Sequence, residues 1–283
     1  MAVKLSGFAD EISSNFEEQL KGLKDNGIEY IEVRGVNGKN VSALSKEEML
    51  EAKKLLDQYK ISVSAIGSPI GKINITDGFD EHIKVFENCM LAAEIFGTKY
   101  MRMFSFFIRD KNFDEHRAEV IRRLEKLAEL AEKKNIILCH ENEGGIYGES
   151  PERCLDLMRH FKGRIKFVFD PANFVVGKHD PYPDAYNNLA QYIEYMHIKD
   201  AGGDGIVPAG FGKGKIKEIL SDLILNKGFE GFLSVEPHLK VFDGLGEHGG
   251  EEHVGKNKFK SKEEAFKAAV DALKNILKEI GAK

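Results

Sequence analysis

Apolar positions along this chain follow two rhythms that take turns. Short runs rich in β-branched and aromatic residues begin near Val3, Ile28, Ile61, Tyr100, Ile136, Ile165, Tyr195 and Phe232. Between them, apolar residues recur every three or four positions, the spacing of one helix face. After Ser45-Lys46-Glu47-Glu48, where Ser45 and Glu48 can satisfy each other's free amides, Met49, Ala52, Leu55 and Leu56 fall on one stripe. A longer helix is predicted from about Glu115 to Lys134, burying Val120, Leu124, Leu127, Leu130 and Ala131. Gly27, Gly97 and Gly228 stand between a helix and the next strand, where a left-handed residue commonly ends a helix. Eight strand–helix units in strict alternation predict an α/β protein, a single-domain (β/α)8 TIM barrel spanning 1–283. Alternation excludes a sandwich, and no Gly-x-Gly-x-x-Gly loop follows the first strand.

Four of the runs end on a charged or imidazole side chain: Glu141, Asp170, His197 and Glu236. In a parallel barrel all strand C-termini open on one face, so the four can converge there. Alternate residues of a strand point the same way. If the four point inward, Leu138, Phe167, Phe169, Met196, Ile198, Leu233 and Val235 lie under the helices, with His140 the polar exception. Two Glu, one Asp and one His form a hard anionic cage suited to Mn²⁺, Mg²⁺, Co²⁺ or Zn²⁺. A strand-end residue can also simply cap the next helix, and Asp170 before Pro171 fits that role.

Length and charge narrow the field. The 283 residues are near the roughly 250 of one such barrel. A formal charge of −5 offers no basic field for a nucleic-acid backbone. Three cysteines, Cys89, Cys139 and Cys154, suggest neither a disulfide framework nor a thiolate metal site. No apolar stretch is long enough for a signal peptide or a membrane span, so a cytoplasmic location is expected. A homo-oligomer is left open.

His140-Glu141-Asn142, Phe169-Asp170-Pro171-Ala172-Asn173-Phe174, His197-Ile198-Lys199-Asp200 and Ser234-Val235-Glu236-Pro237-His238 resemble motifs of the sugar phosphate isomerase/epimerase family. That family is the xylose isomerase-like barrel, which includes ketose 3-epimerases and inosose dehydratases. The resemblance runs from Gly7-Phe8 to the last helix. It implies that Glu141, Asp170, His197 and Glu236 ligate one divalent metal and that Glu141 and Glu236 double as the acid/base pair. The implied activity is isomerisation or epimerisation of a small sugar, sugar phosphate or keto-sugar. A metal-dependent dehydration is the alternative, and an endonuclease-like hydrolase or a non-catalytic sugar-binding barrel ranks lower.

Further residues point at the expected mouth. Glu32 contacts substrate or pairs with Arg102, and Lys72 anchors ligand or is plain solvated lysine. Asn173 contacts substrate, and His238, which shares the parity of Glu236, reaches substrate or orients a ligand. Lys199, two beyond His197, anchors substrate or pairs with Asp200. His82, His116 and His160 are expected on helix surfaces. Gly210-Phe211-Gly212-Lys213-Gly214-Lys215 could cradle a phosphate but reads better as a turn into the next helix. The segment 246–258, with His248, Glu251, Glu252 and His253, reads as a solvated lid.

Overall fold

Eight parallel strands make the ring: β1 (Lys4–Gly7), β2 (Tyr30–Val33), β3 (Ser62–Ile66), β4 (Tyr100–Met103), β5 (Ile137–Glu141), β6 (Ile165–Phe169), β7 (Ile193–Ile198) and β8 (Phe232–Val235). The computed structural model describes residues 3–203, 205–240 and 259–282. The ladder runs β1-β8-β7-β6-β5-β4-β3-β2, and β1 and β2 lie side by side at the seam of a nearly closed barrel. The expected segment 246–258 lies outside the described residues.

Helices α1 (Phe16–Asp25), α2 (Lys46–Tyr59), α3 (Phe79–Phe96), α4 (Phe113–Glu132), α5 (Pro151–Phe161), α6 (Pro171–Val176), α7 (Tyr186–Leu189), α8 (Ile216–Leu220) and α9 (Lys262–Glu279) wrap the ring. Their starts follow the sequence closely. Ser45 and Glu48 form the reciprocal cap of α2, and Ser150 and Ser261 cap α5 and α9. Two short hairpins, Gly35–Val36 with Lys39–Asn40 and Asp200–Gly202 with Gly205–Val207, extend the loops after β2 and β7.

The outward residues of the site strands pack as parity requires. Leu138, Phe167, Phe169, Met196, Leu233 and Val235 are fully or almost fully buried. His140 is buried among them, stacked on Phe167 and 2.9 Å from Ser105 Oγ. One expectation fails. His82 is not a surface residue but 7% exposed, because its Nε2 accepts the Gly71 amide at 2.8 Å and so ties α3 to the loop after β3. Burial and the nearby Arg123 push its pKa down to about 4, so the ring stays a neutral acceptor.

Inside the ring the two ends differ. Toward the lower end the Ser6 and Ser64 hydroxyls meet at 2.6 Å, Ala65, Cys139, Val168 and Tyr195 fill the bore, and Tyr100 donates to Glu194 at 2.7 Å. Tyr195 links this packing to the buried charge of the mouth, its hydroxyl donating to Glu32 at 3.0 Å. Among the described residues no helix is long and apolar enough to cross a membrane.

Candidate metal centre at the barrel mouth

Glu141 ends β5, Asp170 follows β6, His197 sits one residue from the end of β7, and Glu236 follows β8. All four are buried, and each turns one donor atom to a common point, with these atoms within 4.8 Å of one another. His197 Nδ1 lies 3.0 Å from Glu141 Oε1 and 3.6 Å from Glu236 Oε2. Its other nitrogen, Nε2, is held by Glu32 at 3.2 Å. A carboxylate behind an imidazole fixes which nitrogen faces the cage and raises its basicity as a ligand.

Asp170 caps the next helix and still turns one oxygen to the cage. Its Oδ1 caps α6 by accepting the Asn173 amide at 3.0 Å, which leaves Oδ2 turned to the cage. Asn142 clamps β5 to β6: its side chain donates to the Asp170 carbonyl and accepts the Asp170 amide. Asn173 donates to Glu141 Oε1 at 3.2 Å.

A second ring of charge surrounds the cage. Lys199 Nζ stands 3.0 Å from Asp170 Oδ2 and 2.9 Å from Glu236 Oε2. Arg102 Nη1 is 3.3 Å from Glu141 Oε2 and 3.6 Å from Glu236 Oε1. Arg34 bridges Glu236 Oε1 at 2.9 Å, Asp10 at 2.8 and 2.9 Å, and Glu11 at 3.2 Å. Phe8 is wedged under this ring, with both guanidinium groups over its face and His197 meeting it at an edge. Asp10, Glu11 and Arg34 were not singled out from the sequence. Arg34 follows Glu32 by two and shares its parity, which was the available signal.

The remaining candidates fall out as follows. Glu32 does not pair with Arg102: it is taken by Tyr195 and His197, and Arg102 reaches past it to Glu141 and Glu236. Lys199 does not pair with Asp200, whose carboxylate accepts the backbone amides of Ala201, Gly210, Gly212 and Gly214 at 2.7–3.0 Å. A Cβ on Gly212 would stand 2.3 Å from that carboxylate, so glycine is required for the loop to close on it. The loop is therefore a turn organised by an internal anion. Lys72 pairs with Glu143 at 3.0 Å over the Phe104 ring, away from the four-donor cage. His238 has φ +46, with its amide donating to Glu11 at 2.7 Å and its ring 3.5 Å from Glu236. Glu11, Glu236 and His238 form a second cluster of cage-like donors. The Arg34 guanidinium already lies on its two carboxylates.

The donor set fits a divalent cation on three counts. With every carboxylate ionised and His197 neutral, six carboxylates (Asp10, Glu11, Glu32, Glu141, Asp170, Glu236) would face three permanent cations (Arg34, Arg102, Lys199), an excess of negative charge that, with no ion bound, is relieved by protons on His197 and Glu11. Glu141 Oε2 and Asp170 Oδ2 lack a well-directed hydrogen bond. Titration reflects the same excess. Burial pushes Asp170 up to about 7, against the pull of Lys199 and with help from Glu141 and Glu236. Burial likewise raises Glu11 to about 8. Burial disfavours the His197 imidazolium, yet Glu141 and Glu32 outweigh it and raise the ring to about 10. Burial also works against ionised Glu141, but His197 and Arg102 hold it down at about 2.

Comparison with known proteins agrees with this architecture. A family profile described as xylose isomerase-like TIM barrel matches residues 20–276. No curated protein matches the sequence significantly. Among solved structures, the probable 3-DHS dehydratase AsbF of Bacillus anthracis, involved in petrobactin synthesis, is 19% identical with a TM-score of 0.73, covering 97% of this chain and 99% of its own. The IOLI protein, solved with a bound zinc atom, is 17% identical with a TM-score of 0.76, covering 98% and 99%. D-allulose 3-epimerase from Methylomonas sp. is 14% identical with a TM-score of 0.75, covering 98% and 100%. At these identities the likeness is one of fold.

Proposed function

This chain belongs to the xylose isomerase-like TIM barrel family, and we propose that it is a divalent-metal-dependent isomerase or epimerase of a small sugar, sugar phosphate or keto-sugar. The observation that carries the reading is the buried convergence of Glu141, Asp170, His197 and Glu236 within 4.8 Å. These four would hold the ion, with Mn²⁺, Mg²⁺, Co²⁺ and Zn²⁺ all compatible with their oxygen and imidazole donors. Fold neighbours include a zinc-bound barrel and a D-allulose 3-epimerase, which supports a carbohydrate and a metal.

A C–H beside a carbonyl is far too weakly acidic for a carboxylate to ionise unaided at neutral pH. A divalent ion held by Glu141, Asp170, His197 and Glu236 would supply positive charge against the negative charge that develops as this proton leaves, a matter of several kcal/mol. The chain supplies the proton traffic. Glu141 and Glu236 enter from β5 and β8, three strands apart, so one can take a proton and the other return one to the opposite face. Contacts with Arg102 at Glu141 and with Lys199 and Arg34 at Glu236 favour the carboxylate form, the state in which either group accepts the substrate proton; the one that returns a proton must start the cycle protonated. Lys199, Arg102 and Asn173 line the same space and offer donors to substrate oxygens; His238 and Glu32 orient Glu236 and His197.

Return of the proton to the same carbon gives epimerisation, and return to its neighbour gives aldose–ketose isomerisation. Loss of a β-hydroxyl would give dehydration, in line with the dehydratase among the fold neighbours. Ketoses, inososes and keto-glycosides incubated with the Mn²⁺-loaded protein in D₂O test the reading. Deuterium at a carbon beside the carbonyl is expected. An enone or dione absorbance without a sugar isomer would move the assignment to a lyase, and no exchange with any of them would remove the enzyme reading.

A further inference from the structure

Lys199 follows His197 by two residues, so its side chain enters the mouth from β7 beside the imidazole. It is 5% exposed. Its ammonium touches Asp170 Oδ2 at 3.0 Å and Glu236 Oε2 at 2.9 Å. Those are the oxygens left facing the cage, because Asp170 Oδ1 accepts the Asn173 amide and Glu236 Oε1 accepts from Arg34. Glu236 Oε2 also lies 3.6 Å from His197 Nδ1, the nitrogen that faces the cage. An ion held by all four donors would therefore draw on the two oxygens that the ammonium already occupies. Two cations sharing one pair of oxygens repel strongly where water is excluded and the effective dielectric is low.

We propose that Lys199 and the metal compete for Asp170 Oδ2 and Glu236 Oε2, so that Lys199 sets how tightly the site holds its ion. The inference rests on the metal reading above. Lys199 is in this sense a positioning residue with two tasks. It keeps the two carboxylates together when no ion bridges them, and it weakens the hold on an ion that does. The long flexible stem suits a group that must give way, since the ammonium can turn aside while the methylenes stay packed. A guanidinium, planar and bidentate, would yield less readily.

Titration of Mn²⁺ into chelator-stripped wild type, Lys199→Met and Lys199→Arg, followed by calorimetry, tests the competition. Methionine keeps an unbranched apolar stem and removes the charge. Lys199→Met is expected to bind Mn²⁺ about tenfold tighter or more, equivalent to ~1.4 kcal/mol, and Lys199→Arg no tighter than wild type. Should stripped Lys199→Met be too unstable to titrate, the Mn²⁺-induced rise in melting temperature of Lys199→Gln reads the same effect, and a rise larger than in wild type is expected. Equal or weaker binding by the uncharged variants, with wild type still binding Mn²⁺, overturns the competition and leaves the four-donor cage standing. Failure of wild type and variants alike to bind Mn²⁺, Mg²⁺, Co²⁺ or Zn²⁺ overturns both.

Discussion

On the β5–β8 side of the mouth, Glu141, Asp170, His197 and Glu236 turn donor atoms toward one point, two of them without a well-directed hydrogen bond. On the β1–β2 side, Asp10, Glu11 and Arg34 form a closed network in which the guanidinium contacts both carboxylates and Glu236 beyond them. Both sides are buried and rich in charge, yet only the first leaves ligand capacity. The difference lies in where the fixed cations sit. Arg34 fills its side outright, whereas on the other side Arg102 stands off at 3.3 and 3.6 Å and the flexible Lys199 ammonium makes the close contacts to Asp170 and Glu236. The comparison teaches that a buried carboxylate cluster is read as a metal site by what already neutralises it, not by its acidity alone.

Substitutions can break this contrast from either side. The largest effect is expected for Glu236→Gln, which belongs to both. Proton exchange at the substrate carbon should fall by about 10²–10⁴, the usual worth of a positioned acid or base, with the circular dichroism spectrum unchanged; turnover at the wild-type rate would remove Glu236 from the chemistry. Next comes Arg34→Met, which strands three carboxylates in a buried space. Urea denaturation should show a loss of about 3–5 kcal/mol, the penalty typical of breaking a buried ion pair, and an unaltered midpoint would mean that Arg34 does not balance the cage.

Asp170→Ala tests the ligand side alone. Metal affinity should drop by about one to three orders of magnitude, extending the 10–100-fold losses seen when outer partners are removed, and metal analysis by mass spectrometry checks it. Glu32→Gln is milder. Without its carboxylate the His197 ring loses orientation and basicity, and affinity should fall by about 10-fold; calorimetry with Mn²⁺ distinguishes this from no change.

A pH dependence is expected from Glu11 on the closed side. Its carboxyl is raised from 4.5 to about 8, chiefly by burial. Between those values the folded protein holds a proton that the unfolded chain has released. Stability should therefore be full below pH 4.5 for this group and decline as pH rises through about 8. Glu11→Gln should flatten that decline in thermal melts recorded across the window; an unchanged slope would assign the ionised form to the fold.

Much of the barrel and the convergence of the four candidate donors was legible in the sequence, because both depend on local periodicity. Strand starts at Tyr100, Ile165 and Phe232, the Ser45 cap and the parity of Glu141, Asp170, His197 and Glu236 need no knowledge of distant neighbours. What was not legible depends on contacts between remote segments. The Arg34–Glu236 pair joins residues 202 positions apart. His82 is buried by a loop after another strand, so its place on a helix did not reveal it. Asp200 beside Lys199 suggested a local pair, but four backbone amides of the following loop offered it better partners.

The central claim is that one cation is held jointly by groups from β5, β6, β7 and β8. Crystals soaked in Mn²⁺ and measured at its absorption edge test this most directly. One anomalous peak is expected, with Glu141, Asp170, His197 Nδ1 and Glu236 each within the ~2.0–2.2 Å of metal–oxygen and metal–nitrogen bonds. A peak between Glu11 and His238 instead, or a mouth with full density for Lys199 and no anomalous signal at saturating Mn²⁺, would contradict it.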